Sequence, residues 1–283
     1  MLNNGIPVSI SLEPTLQREN VISKKKYDKK RLLRLSLLAV VIAVCISFIA
    51  KLLVFLIDLI TNIAFYGNFS IEPSSPIHHS YGIFVVIVPI VGGLIVGLMA
   101  LYGSKAIRGH GIPEAMEQIL TNQSKIKPSI TYLKPLSAAI SIGTGGPFGA
   151  EGPIIATGGA LGSSLGQLIK ITPNERKILL AAGATAGMSA IFGSPLAAIL
   201  LAIELLLFEF SARSFIPVAL ACITGAAGHH LLFEEGVVFP LNFQLQPASN
   251  YALLFYGTMG IVIGLISVIV TKVVYWIENI LEK

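Results

Sequence analysis

The stretch Gly143-Thr144-Gly145-Gly146-Pro147-Phe148-Gly149-Ala150-Glu151-Gly152-Pro153-Ile154-Ile155 sets a carboxylate in a glycine-dense loop that leads into an apolar helix. Pro153 suits a first helical turn, where its missing N–H removes no intrahelical bond. The glycines let the chain turn tightly ahead of it. No Lys-Ser or Lys-Thr pair follows them, so a phosphate-cradling P-loop is excluded. After Pro135, short apolar segments alternate with Gly and Pro clusters at 143–153, 158–166, 183–187 and 193–195. Interrupted spans of this kind point to a transporter or channel site at mid-membrane, where helix ends face the permeating species.

Composition agrees with a bilayer setting. The 283 residues are 54% hydrophobic and only 12% charged, with a mean hydropathy of +0.78. A soluble domain carries about 25% charged residues, so a water-exposed globule and a disordered chain are both ruled out. The expected fold is an all-α polytopic membrane protein with tilted and broken helices. Its long spans are expected at Leu35–Tyr66, interrupted by Lys51 and Asp58, then at 81–103, Phe215–Phe233 and Leu253–Ile280. Between Lys105 and Lys134 the chain is too polar to span, and short helices are expected near Pro113 and Pro128, one of them re-entrant.

Eight Lys and Arg residues crowd Arg18 to Arg34, opposed by Glu13, Glu19 and Asp28. By the positive-inside rule this block, residues 1–34, is a cytoplasmic N-terminal segment, and the membrane domain occupies 35–283. The basic pI of about 9.2 then reports topology and not nucleic-acid binding. The apolar run after Arg34 is too long for a signal peptide. Cys45 and Cys222 both fall in apolar runs without metal-ligand spacing and read as small buried hydrophobes. Adjacent pairs His78-His79 and His229-His230 cannot easily chelate one ion, and Glu234-Glu235 reads as an exposed turn. No metal or cofactor is expected.

A second loop, Gly109-His110-Gly111-Ile112-Pro113-Glu114, repeats the pattern of glycine turn and helix start. Amides at such a start carry the positive end of the helix dipole and accept an anion. A Gly-Pro turn before a helix is also common, so this loop alone decides little. Glu151 is sharper, because an ionisable group at membrane depth costs about 2.5–3.5 kcal/mol on insertion scales. Facing helix-start amides, its carboxylate takes the place of an anion; protonated, it loses that attraction and swings away. The bland alternative is a capping carboxylate.

The stretches GHGIPEAME, GTGGPFGAEGPIIATGGALGS and AAGATAGMSAIFGSPLAAILLAIE resemble, in order and spacing, the family of chloride channels and chloride/proton antiporters (CLC), from about Leu35 onward. The resemblance implies that His110, Gly111 and Ile112 match the family's Gly-Ser-Gly-Ile-Pro selectivity loop. It implies that Glu151 is the external gating glutamate, with Gly149 and Ala150 lining the outer anion site. It also implies a multi-pass cell-membrane protein that carries chloride or another small anion, with protons as a further candidate and a homodimer formed in part by 196–207 and 215–233.

This sequence departs from that family in several places. His110 stands where a serine is usual, substituting an imidazole N–H for a hydroxyl, and Ala150 stands where a basic residue is usual. Glu204 is the candidate inner carboxylate, but Leu205 holds the position directly after it, where proton-coupled relatives carry a glutamate. Glu204 looks buried in its apolar run and equally reads as a structural group of helix packing or of an interface. A passive channel and a proton-coupled exchanger both stay open. The chain corresponds to the first half of the family's inverted repeat plus one helix, which raises the alternative of a non-transporting piece that inserts and dimerises. A membrane enzyme is the remaining alternative, and no second carboxylate, His or Ser is placed by sequence to act with Glu151.

Overall fold

A computed structural model of the chain describes residues 29–108, 111–169, 171–233 and 249–281. Among these there is no strand. The helices are α1 (Lys29–Thr61), α2 (Ile87–Tyr102), α3 (Ile112–Thr121), α4 (Ile130–Gly143), α5 (Glu151–Leu168), α6 (Pro173–Phe192), α7 (Pro195–Leu201), α8 (Ala212–Leu232) and α9 (Asn250–Leu281). Wide π turns at Asn62–Tyr66 and Ala202–Leu207 continue α1 and α7. Contacts divide the chain into two units, Met1–Glu235 and Gly236–Lys283. In the second unit, the described structure is essentially α9 alone, 32 residues long.

Among the described residues, four helical segments are long and apolar enough to cross a membrane: Lys29–Tyr66, Gly82–Tyr102, Ala212–Leu232 and Tyr251–Ile277. These match the expected spans. α1 contains neither Gly nor Pro in its 33 residues, so nothing breaks it. At 1.5 Å per residue it is about 50 Å long against a hydrocarbon core of about 30 Å, so it tilts or emerges. Along it Leu35, Ala39, Ile42, Ala43, Ile46, Ala50 and Leu53 form a buried stripe, while Leu37, Phe48 and Leu52 are exposed on the other faces. A helix apolar on every side, with its smaller residues turned inward, suits lipid outside and close helices inside.

The core is built around α6. Its start carries a full capping box, Thr172 with Glu175, and Pro173 in the first turn. Its end is closed by Gly193 at φ +62°, whose N–H donates to the Ser189 carbonyl at 2.9 Å. From Ile178 to Ala186 nearly every residue is fully buried, because α1, α5 and α8 all pack against it. Small residues make this possible. A Cβ on Gly158 of α5 would overlap the Gly183 carbonyl, one on Gly162 the Leu179 carbonyl, and one on Gly225 of α8 would lie 2.5 Å from the Ala186 carbonyl.

Two local expectations change. α4 starts at Ile130 and runs through Pro135; the proline falls early in the helix, so the single ladder bond it removes is near the start, where bonds are fewest. Cys222 is buried, with its Sγ 3.3 Å from Thr185 Oγ1, but Cys45 is exposed. An apolar run in a membrane helix includes faces turned to lipid, so hydropathy did not distinguish them.

The crossing of α5 and α6 therefore has no room for a side chain. Gly158→Val is expected to abolish the monodisperse peak in detergent size-exclusion chromatography. Gly93→Ala on α2, where nothing lies within 4 Å of a new Cβ, is expected to elute as the unaltered chain does.

Candidate functional site

The two glycine loops meet. α3 begins directly after Gly111, which has φ +83° and ψ −85°, a conformation that side-chain-bearing residues rarely adopt. α5 begins at Glu151, after Ala150. A Cβ on Gly111 would lie 2.5 Å from the Gly152 carbonyl oxygen and 2.6 Å from its Cα, so the two helix starts touch backbone to backbone. Neither helix has a side-chain cap, and each carries a proline in its first turn. Each start leaves first-turn amides without intrahelical partners at the positive end of its dipole, and the two starts are adjacent.

The sequence-predicted residues fall here as follows. Gly111 is buried and Ile112 half-buried at the start of α3; Gly149 and Glu151 are exposed and Ala150 half-buried at the start of α5. Gly109 and His110 lie outside the described residues. Glu204 lies on an element that packs against α3. It sits on the π turn Ala202–Leu207 and is exposed, while Leu206 and Leu207 of the same turn face inward. The expectation of a buried-looking carboxylate does not hold in the single chain, because the wide turn directs Glu204 outward.

Beside the junction lies a cavity of about 350 Å³, with Gly149, Gly152 and Pro153 on one wall and Arg108, Lys134, Ser137 and Ser141 on others. Lys134 is only 4% exposed, and its Nζ donates to the Ile107 carbonyl at 2.7 Å. Glu114, in the first turn of α3, is near enough to act on it electrostatically. Sequence reasoning passed over Lys134, placing it at the end of a polar connection. The one available signal was a lone Lys set in the small and apolar run of α4. Lys134 and Glu114 thus set a cation and a carboxylate of opposite sign beside the two helix starts.

Among the described residues no group of three or more His, Cys, Asp or Glu side chains could hold a metal. His229 has a structural part: its Nδ1 lies 2.8 Å from the Ala190 carbonyl and its ring packs against Gly193, at the end of α6.

Fold and site together define a class: an all-α polytopic membrane protein whose shorter helices start face to face inside the bundle. The family model described as voltage gated chloride channel matches residues 91–283. The chain belongs to that family. It is 26% identical over 205 residues to chloride channel protein CLC-f of Arabidopsis thaliana, covering 68% of this chain and 25% of that one. It is 31% identical over 181 residues to the H(+)/Cl(−) exchange transporter ClcA of Yersinia pestis, covering 62% and 37%. Among solved structures it is similar to a slow cyanobacterial Cl−/H+ antiporter, with a TM-score of 0.65 at 20% identity over 82% of this chain and 54% of that one. A CLC-type fluoride/proton antiporter gives a TM-score of 0.63 at 20% identity, over 85% and 57%. The chain thus spans well under half of those curated relatives and a little over half of the solved chains.

The junction depends on Gly111. Gly111→Ala is expected to lower stability by about 1–3 kcal/mol, read as a lower unfolding midpoint in detergent. Gly149→Ala, whose new Cβ would meet nothing closer than the Glu151 nitrogen at 4.0 Å, is expected to leave the midpoint in place.

Proposed function

We propose that this chain forms part of a transmembrane pathway for chloride or a similar small anion, with Glu151 as its gate. The observation that carries the reading is the backbone contact of Gly111 with Gly152, which sets the uncapped starts of α3 and α5 at one point. Gly111, Ile112, Gly149 and Ala150 frame the anion position, His110 precedes it in the chain, and Lys134 lines the adjoining cavity. Ionised, the Glu151 carboxylate competes with the anion for the same amides. Protonated, it loses that attraction and leaves the site to the anion. A gate that takes a proton each time it opens serves a channel, and it also serves an exchanger of chloride for protons, the activity in the names of several relatives.

The placement of charge supports a cytoplasmic N-terminus in a multi-pass membrane protein. Arg31 and Arg213 both pair with Glu175; Arg176 donates to the Gln123 carbonyl, and Lys177 donates to that of Leu207. These contacts draw the starts of α1, α6 and α8 and the turn after α3 to one basic end, the side the positive-inside rule assigns to the cytoplasm. Pairing with a second copy through 196–207 and 215–233 rests on the family resemblance, since the exposed leucines of α7 and α8 suit lipid equally well.

In liposomes loaded with chloride, efflux through the unaltered chain is expected to depend on pH, and Glu151→Gln or Glu151→Ala to remove that dependence. Unchanged pH dependence in an active variant overturns the gate. Proton movement driven by a chloride gradient marks an exchanger, and its absence marks a channel. No flux from the unaltered chain favours the rival reading, a chain that inserts and dimerises without transport.

A further inference from the structure

Glu151 is reached through the loop 144–150, which leaves the end of α4. The loop first folds back on that helix: Thr144, Gly145 and Gly146 donate their N–H groups to the carbonyls of Ile140, Ile142 and Ser141 at 3.0, 2.9 and 2.9 Å. From the other side α1 and α2 press on it. A Cβ on Gly143 would lie 2.8 Å from the Ile60 side chain, and one on Gly92 would overlap the side chain of Thr144. Gly145, at φ +90°, faces the ring of Phe65, whose Cζ would lie 3.1 Å from a Cβ placed there. The ring thus closes the space over the point where the chain turns away from α4 toward Glu151.

Phe65 belongs to the π turn Asn62–Tyr66 and is only 4% exposed, although it stands at the end of a long helix. The segment that follows ties the turn down. Asn62 Nδ2 donates to the carbonyls of Ser70 and Glu72 at 3.0 and 2.9 Å, and Tyr66 Oη donates to that of Ser75 at 2.5 Å. The His79 ring then comes to lie 6.1 Å from the Phe65 ring, centroid to centroid.

We propose that Phe65 is a positioning residue for Glu151, held by the segment 67–81 and acting through Gly145. The inference rests on the reading of Glu151 as the gate. The loop's other end is fixed independently, because α5 is locked against α6 through Gly158 and Gly162. Pinned at both ends, the loop delivers the first residue of α5 to one place. Side chains at a working site keep their geometry only when the groups behind them are packed. Without the ring one pin is lost, and a carboxylate on a loosened helix start holds less firmly to the amides for which it competes.

The test combines amide hydrogen exchange, read by mass spectrometry, with chloride efflux from liposomes, both on the full chain. Phe65→Ala is expected to speed exchange over 144–150 and to leave exchange over 178–186 of α6 as it was. At neutral pH, where an ionised Glu151 holds the anion position, the same variant is expected to raise efflux roughly tenfold. Added to Glu151→Ala it is expected to change efflux no further, a coupling that a merely structural loss does not produce. Phe65→Leu is expected to give a smaller change of the same sign, and it carries the test where Phe65→Ala does not fold. Phe84→Ala, which removes a ring that is 70% exposed, is expected to move neither readout. Unaltered exchange over 144–150, faster exchange that spreads through 178–186, or a rise in efflux that persists without Glu151 overturns the proposal. If the unaltered chain carries no chloride, the gate reading fails, and exchange alone decides whether Phe65 holds the loop.

Discussion

Where α5 crosses α6, backbone meets backbone, and the remaining packing of the first unit follows from that contact. Lipid is as apolar as leucine, so helices in a bilayer gain little from hiding hydrophobic side chains from it; they gain from close van der Waals approach. Gly158 against Gly183 and Gly162 against Leu179 bring two helices to that distance. α6 is then narrow enough to be covered on its other sides. Ile42 of α1 lies 3.1 Å from where a Gly183 side chain would begin, and Gly225 of α8 rests on Ala186. Replacing these small residues with leucines would raise hydropathy and lose the bundle.

Fixing α5 also fixes where it starts. Its first residues arrive beside Gly111, and the start of α3 is pressed against them without a side chain between. A helix that passes through a membrane has no amides to offer, since each is bonded four residues back. A helix that starts inside the protein offers its first-turn amides, and two such starts together favour a negative charge. Glu151 is the first residue of one of them, and Lys134 lines the adjoining cavity. Packing and electrostatics are thus linked through one short loop.

Much of this was legible in the residues. The long spans show in hydropathy alone, and the loops around Gly111 and Glu151 show in the coincidence of glycine, proline and a lone carboxylate. What escaped depends on partners far away in sequence. Lys134 finds its acceptor at Ile107, and Arg31 finds Glu175 across 144 positions. Neither pairing leaves a trace in local pattern. Cys45 was misjudged for a different reason: an apolar stretch marks membrane depth but not which side of a helix meets protein and which meets lipid. The short helix expected near Pro128 runs from Ile130 through Pro135, at the cost of one ladder bond in its second turn.

The most direct measurement of the central claim is crystallographic: bromide in place of chloride, located by its anomalous scattering. The account predicts a bromide at hydrogen-bond distance from the first-turn amides of α3 and α5, next to Gly111 and Gly152, with higher occupancy in Glu151→Gln than in the unaltered chain. A bromide found elsewhere along the helices, or a junction that stays empty when the Glu151 carboxylate is removed, would contradict it.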